Sequence, residues 1–220
     1  MTRESVAAEL RGFGFAGLLA IAAILSGNLI FIPLSAFLVL AWAWLSRTSL
    51  REIGLARPKS WARTILLGVL FGCALKLVMK ALVMPLLGAP PVNQAFQFLP
   101  GNTVALPAII FAVTVGAGFG EEVLFRGYAF ERLRKLFGPS AVAKIAAVLL
   151  TSVWFGYAHY ALQGVPGVQQ AAIVGLLFAA IYAQTQRLWF LIIAHAAFDL
   201  TAVALIYWRL EAAFARSLFG

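Results

Sequence analysis

Residues 103–130 read TVALPAIIFAVTVGAGFGEEVLFRGYAF. The run is apolar for long enough to cross a bilayer, which takes about 20 residues, yet Glu121, Glu122 and Arg126 lie inside it. Charge at that depth is costly and faces a protein interior or a water-filled cavity rather than lipid. The stretch therefore predicts a membrane helix whose polar face is covered by other helices of the same chain.

The rest of the 220 residues agrees with that reading. The chain is 63% apolar and 11% charged, with a mean hydropathy of +0.94, whereas a soluble domain carries about 25% charged residues. An ordinary soluble domain is excluded. The expected fold is all-α, a polytopic transmembrane bundle of about seven helices, with six to eight allowed. The apolar block from Gly12 to Trp44 predicts two helices, interrupted at Ser26-Gly27-Asn28 and at Pro33. Further spans are expected near Thr64–Met84, Thr103–Phe130, Ala141–Tyr160, Val168–Gln186 and Leu188–Trp208. Glu4 and Glu9 spoil the basic leader of a signal peptide, so the first apolar segment is expected to be retained. No repeat or long polar tract divides the chain, and residues 1–220 are taken as one integral-membrane domain with its motifs within 121–199.

Seventeen Lys and Arg stand against eight Asp and Glu. Such an excess suits a nucleic-acid binder only when it collects on a solvated face, which this chain lacks, so no nucleic-acid partner is expected. The bias reads as topology instead. Arg3, Arg11, the Arg47–Arg63 segment, the Arg132–Lys135 segment, Lys144 and Arg187 fall on one side, while the loops Pro85–Asn102 and Ala161–Gly167 carry no Lys or Arg. By the positive-inside rule the basic side and the N-terminus are cytoplasmic. Arg209 and Arg216 blur the asymmetry, which an eighth short or re-entrant segment would restore. The Arg47–Arg63 connector, with Leu50, Ile53, Leu55 and Trp61 among its basic residues, is expected to present a lipid-contacting face. Cys73 has no second thiol and is read as a small packing residue.

Few ionisable residues lie within the spans. Besides the fourth-span group they are His159, His195, Asp199, Lys76 and Lys80, and they include both histidines and the one aspartate. Lys76 and Lys80, one turn apart near the outer end of their helix, are expected to snorkel. Counting along each helix from the nearest cytoplasmic charge puts Glu121, His159, His195 and Asp199 roughly 12 to 23 Å into a core about 30 Å thick. Three helices thus deliver polar groups to one layer, and a cavity opening to the cytoplasmic side is expected there. Within the layer, residues four apart share a helix face. Glu122 can pair with Arg126, leaving Glu121 without a cation on its own helix, as befits a general base. Asp199 can orient His195, and Phe155 packs beside His159. Gly116, Gly118 and Gly120 allow neighbouring helices to approach Glu121 closely.

An intramembrane aspartyl protease needs two aspartates and there is one. Neither a His-Glu-x-x-His helix nor a Gly-x-Ser-x-Gly elbow is present. Ser152, seven residues before His159, is read as bonding its own preceding turn. The remaining carboxylates and imidazoles suit either activation of water or a divalent metal site.

Glu121-Glu122-Val-Leu-Phe-Arg126, Phe155-Gly-Tyr-Ala-His159 and His195-Ala-Ala-Phe-Asp199 resemble, in order and spacing, the three motifs of the CPBP intramembrane protease family, which includes the CAAX prenyl endopeptidases and bacteriocin-processing or immunity-associated members. The N-terminal half resembles the family only in being helical and membranous. The resemblance implies a glutamate-dependent endopeptidase without a covalent intermediate, in which Glu121 and His159 activate water. His195 and Asp199 would stabilise the oxyanion, with Glu122, Arg126 and Phe155 supporting the site. The third-motif position is Asn or Asp in the family; Asp199 departs from the Asn-bearing members, and a carboxylate there suits orientation of His195 better than donation to an oxyanion. The resemblance points to metal-free chemistry and no cofactor, with zinc as the competing reading. The implied partners are a peptide or protein substrate, lipidated or not, and the lipid bilayer, and the short Ala- and Leu-rich chain looks like that of a bacterial cell-membrane protein. A non-catalytic binding or immunity protein and an ion-coupled transporter are the competing functions. A transporter is expected to repeat a pair of interrupted helices in its two halves, and none is apparent.

Overall fold

The computed structural model describes residues 2–218, which form helices and no strand. In chain order these are α1 (Arg3–Arg11), α2 (Phe15–Ile30), α3 (Leu34–Leu45), α4 (Trp61–Leu86), α5 (Leu106–Phe137), α6 (Ala141–Ala158), α7 (Tyr160–Thr185), α8 (Leu188–Tyr207) and α9 (Glu211–Arg216). Helices α4 to α8 are each long and apolar enough to cross a membrane, and α1 with α2, bent by 63°, makes a sixth candidate. The expectation of about seven is thus roughly met. The shortfall lies in α3, whose 12 residues reach about 18 Å at 1.5 Å per residue, well short of a bilayer core.

The first apolar block does form two helices, and of the two expected interruptions the one at Pro33 is the break. Ser26, Gly27 and Asn28 lie inside α2, where the Ser26 hydroxyl donates to the Ala22 carbonyl at 2.8 Å. The turn is at Phe31–Pro33, clasped by Asn28 and Ser35: the Asn28 N–H donates to Ser35 Oγ at 2.9 Å, and the Ser35 N–H to Asn28 Oδ1 at 3.0 Å. The connector after α3 also differs from expectation. Ile53 and Leu55 are buried in the protein, only Leu50 and Trp61 of its four apolar residues being exposed. Its backbone is held by the start of α8, for the Gly54 carbonyl accepts from Leu188 N–H at 3.0 Å and the Leu55 carbonyl from Trp189 Nε1 at 3.3 Å.

Helices α4 and α8 pack closely against each other. A Cβ placed on Gly72 would lie 2.1 Å from the Ala194 carbonyl oxygen, so the backbones meet where only glycine fits. Lys76 and Lys80 continue the same four-residue stripe as Gly68 and Gly72, and both are buried rather than snorkelling. Lys80 Nζ pairs with Glu211 Oε1 at 2.8 Å and so ties α9 to α4, while the Asn93 N–H donates to the same carboxylate. The six-residue α9 does not carry the chain back across the bundle, and Arg209 and Arg216 stay at the end away from the basic connectors.

Two further irregularities place the site. Helix α5 is π-helical over Ala112–Glu121 and again over Val123–Tyr128, an i→i+5 pattern that widens the turn and often accompanies functional sites. In α7 the expected loop Ala161–Gly167 is helical on both sides of a break at Gly164, whose φ of +60° is open to glycine and strained for other residues. His159 caps α6 at its junction with α7, five residues before the break at Gly164.

Candidate active site

The pair expected from spacing is formed: Arg126 Nη1 donates to Glu122 Oε1 at 2.9 Å, with both side chains almost fully buried. The guanidinium also donates through Nη2 to the Gly175 carbonyl at 3.2 Å and lies 4.4 Å above the Phe155 ring. Glu122 therefore ends its own charge on α5 and Arg126 carries the connection across to α7.

His195, from α8, meets this pair. Its Nδ1 lies 2.8 Å from Glu122 Oε1, and its Nε2 lies 3.5 Å from Asp199 Oδ2 and 3.9 Å from Glu121 Oε2. An ionised carboxylate only accepts, so Nδ1 carries its hydrogen toward Glu122 and Nε2 faces the other two carboxylates. The orienting role expected of Asp199 thus has a better placed candidate in Glu122, which holds the opposite ring nitrogen. Sequence spacing had no means of showing this, because the two residues belong to different helices. The widened π-turns also bring adjacent residues closer in direction, and Glu121 and Glu122 reach the two sides of one imidazole rather than diverging.

His159 Nδ1 lies 2.8 Å from the Phe155 carbonyl oxygen. A carbonyl accepts only, which fixes the hydrogen on Nδ1 and leaves the Nε2 lone pair of the neutral ring available. Phe155 is the shared wall: its ring centroid is 4.7 Å from that of His159 and 6.0 Å from that of His195. Ser152 donates to the Val148 carbonyl at 2.6 Å, the local bond expected of it.

Glu121, His159, His195 and Asp199 line one cavity of about 250 Å³ between α5, α7 and α8. Glu121 and Asp199 keep 20% and 25% of their side-chain surface exposed while Glu122 has none, which separates groups able to touch a ligand from those that only support them. Glu121 Oε2 is a buried oxygen without a hydrogen-bond partner. Of the three glycines before it, Gly118 permits the approach of α8, since a Cβ there would lie 2.9 Å from Ala196 Cβ, whereas Gly116 and Gly120 face Ile32 and Pro33.

The cavity runs the opposite way from the expectation. Asn93, Phe96, Leu99 and Gln163 line it, so it extends toward the loops free of Lys and Arg, while buried Glu122 and Arg126 close it on the basic side. A layer near mid-bilayer is about as close to one face as to the other, and depth alone does not choose the mouth. Lys76, expected from the sequence to snorkel, also lines the cavity. Its signal was the four-residue stripe it shares with Gly68 and Gly72, which marks a protein-facing side of α4. Among the described residues no group of three or more His, Cys, Asp or Glu side chains is arranged to hold a metal ion.

Residues 103–201, which contain all three motifs, match the family model described as type II CAAX prenyl endopeptidase Rce1-like. No curated protein and no solved structure matches the chain.

Proposed function

We propose that this chain, whose residues 103–201 match the CAAX protease family model, is an intramembrane endopeptidase hydrolysing a peptide bond of a membrane-associated protein or peptide by glutamate- and histidine-activated water. The observation that carries the proposal is the unpartnered Oε2 of Glu121 in a cavity shared with His159, His195 and Asp199.

In this reading a water molecule between Glu121 and His159 gives a proton to Glu121 as its oxygen attacks the scissile carbonyl carbon. The Nε2 lone pair of His159 accepts the water's second hydrogen and fixes its direction. His195, with both ring nitrogens protonated, donates through Nε2 to the developing oxyanion, held in place by Glu122 at Nδ1. The proton on Glu121 then passes to the departing amine nitrogen as the C–N bond breaks, so that carboxylic acid and amine products account for every atom of water. Arg126 holds Glu122 in position. Asp199, on the Nε2 side of His195, stabilises the doubly protonated ring. No step requires a metal or a cofactor. Substrate enters from the face opposite the basic loops, or laterally between α5 and α7, and positive-inside topology makes that face extracytoplasmic in a bacterial cell membrane.

The test is incubation of purified protein with a peptide library read by mass spectrometry, with Glu121→Gln as control. New termini in the wild-type sample alone support the endopeptidase. Absence of cleavage, with ion-dependent uptake in reconstituted vesicles, favours a transporter using the same residues.

A further inference from the structure

Lys76 has an uncommon setting for a lysine within the bundle. It is 7% exposed, donates through Nζ to Gln170 Oε1 at 3.0 Å, and lies 4.8 Å from the centroid of the Phe198 ring. Lys80, one turn further along, has a carboxylate in Glu211 at 2.8 Å, whereas among the described residues no carboxylate lies within 4.0 Å of Lys76 Nζ, Asp199 standing farther off across the same cavity. An ammonium has three donors, and one carbonyl oxygen with one aromatic face does not satisfy them. A buried cation with no carboxylate in contact is costly unless something pairs with it directly.

The position of Lys76 shows where that partner comes from. A second cavity, of about 330 Å³, lies beside the first on the side away from the basic loops, and Lys76, Asn93, Gln163 and Gln170 line both. Lys76 therefore stands at the junction of the two spaces, on the route between the mouth and the Glu121–His195 pair. The oxygen of the Gln170 carboxamide is taken by Nζ, which leaves its amide nitrogen as a further donor at the same place.

We propose that Lys76 is a specificity-determining residue that binds a carboxylate of the substrate, either the C-terminal carboxylate or an Asp or Glu side chain close to the scissile bond. The inference rests on the endopeptidase reading for the identity of the ligand, and its test reads binding rather than turnover. Held by Nζ and supported by Gln170, the carboxylate sets the register of the peptide along the joined cavities. The residue acts on affinity and on cleavage position, not on activation of water.

The test uses the full-length Glu121→Gln protein in detergent micelles and three capped tetrapeptides of one apolar sequence: free acid, C-terminal amide, and amide with one internal Asp. The expected result is that at least one carboxylate peptide binds about tenfold or more tightly than the plain amide, as for a charge-assisted hydrogen bond. The one preferred identifies the source. Adding Lys76→Met, or Lys76→Gln, which keeps a donor for Gln170, abolishes the preference, and Lys76→Arg retains it. Equal binding of all three peptides, undetectable binding included, overturns the proposal, as does a preference that survives loss of the lysine. Cleavage by the wild-type protein is scored separately, so failure of the endopeptidase reading stays distinguishable from failure of this one.

Discussion

The Glu122–Arg126 pair has measurable energetic consequences. Both side chains are almost fully buried, and removing one partner of such a pair costs about 3–5 kcal/mol because the other charge is left uncompensated. In Glu122→Gln the amide oxygen can still accept where Oε1 now takes Arg126 at 2.9 Å and His195 at 2.8 Å. Arg126 also keeps the Gly175 carbonyl and the Phe155 ring, so the loss falls near the lower end, about 3 kcal/mol. Arg126→Met is worse. It leaves the buried Glu122 carboxylate, whose Oε2 already has no partner, with His195 alone, and the loss approaches about 5 kcal/mol. The double variant removes both charges and loses less than the sum of the two singles by about 1–3 kcal/mol. Reversible unfolding of the four proteins in mixed micelles, by SDS titration, gives the coupling. Additive losses, or single losses under about 1 kcal/mol, would show that the pair does not hold the site together.

Three further outcomes follow from the same geometry. Gly72→Val forces side-chain atoms into the Ala194 carbonyl and lowers stability by about 1–3 kcal/mol or more in the same titration, whereas Gly88→Val, which meets nothing within 4 Å, costs only what its positive φ imposes. Chelator treatment leaves cleavage unchanged and elemental analysis finds no stoichiometric zinc; zinc whose removal stops cleavage and whose return restores it contradicts the metal-free reading. In a Cys73→Ala background, cysteine at Arg51 or Arg134 is shielded from impermeant thiol reagents added outside intact cells and cysteine at Gln97 is labelled, while the reverse pattern places the basic loops outside.

What the sequence made legible was local. The spans α4 to α8 follow from apolar runs longer than a bilayer requires, and the Glu122–Arg126 pair from a spacing of four within one helix. The convergence of Glu121, His159, His195 and Asp199 was readable as shared depth, because helical rise converts residue counts into distance. What escaped depends on relations between helices. Glu122 reaches His195 from another helix, and Lys76 faces a cavity because α4 turns its glycine stripe toward α8. The cavity mouth depends on where the Pro85–Asn102 loop folds back, which composition does not encode. Ile53 and Leu55 misled for a similar reason: apolar residues in a basic connector suit lipid and protein equally, and here hydrogen bonds from the start of α8 to the Gly54 and Leu55 carbonyls decide between them.

Turnover by Glu121→Gln tests the central claim most directly. The substitution keeps the size of the side chain and removes the base, while the Glu122, Arg126 and His195 contacts stay as they are. On a peptide that the wild-type protein cuts, kcat/KM falls by about 10²- to 10⁴-fold, the usual contribution of a positioned general base, with the SDS-unfolding midpoint unchanged. Near-wild-type cleavage by a folded Glu121→Gln protein would contradict the account.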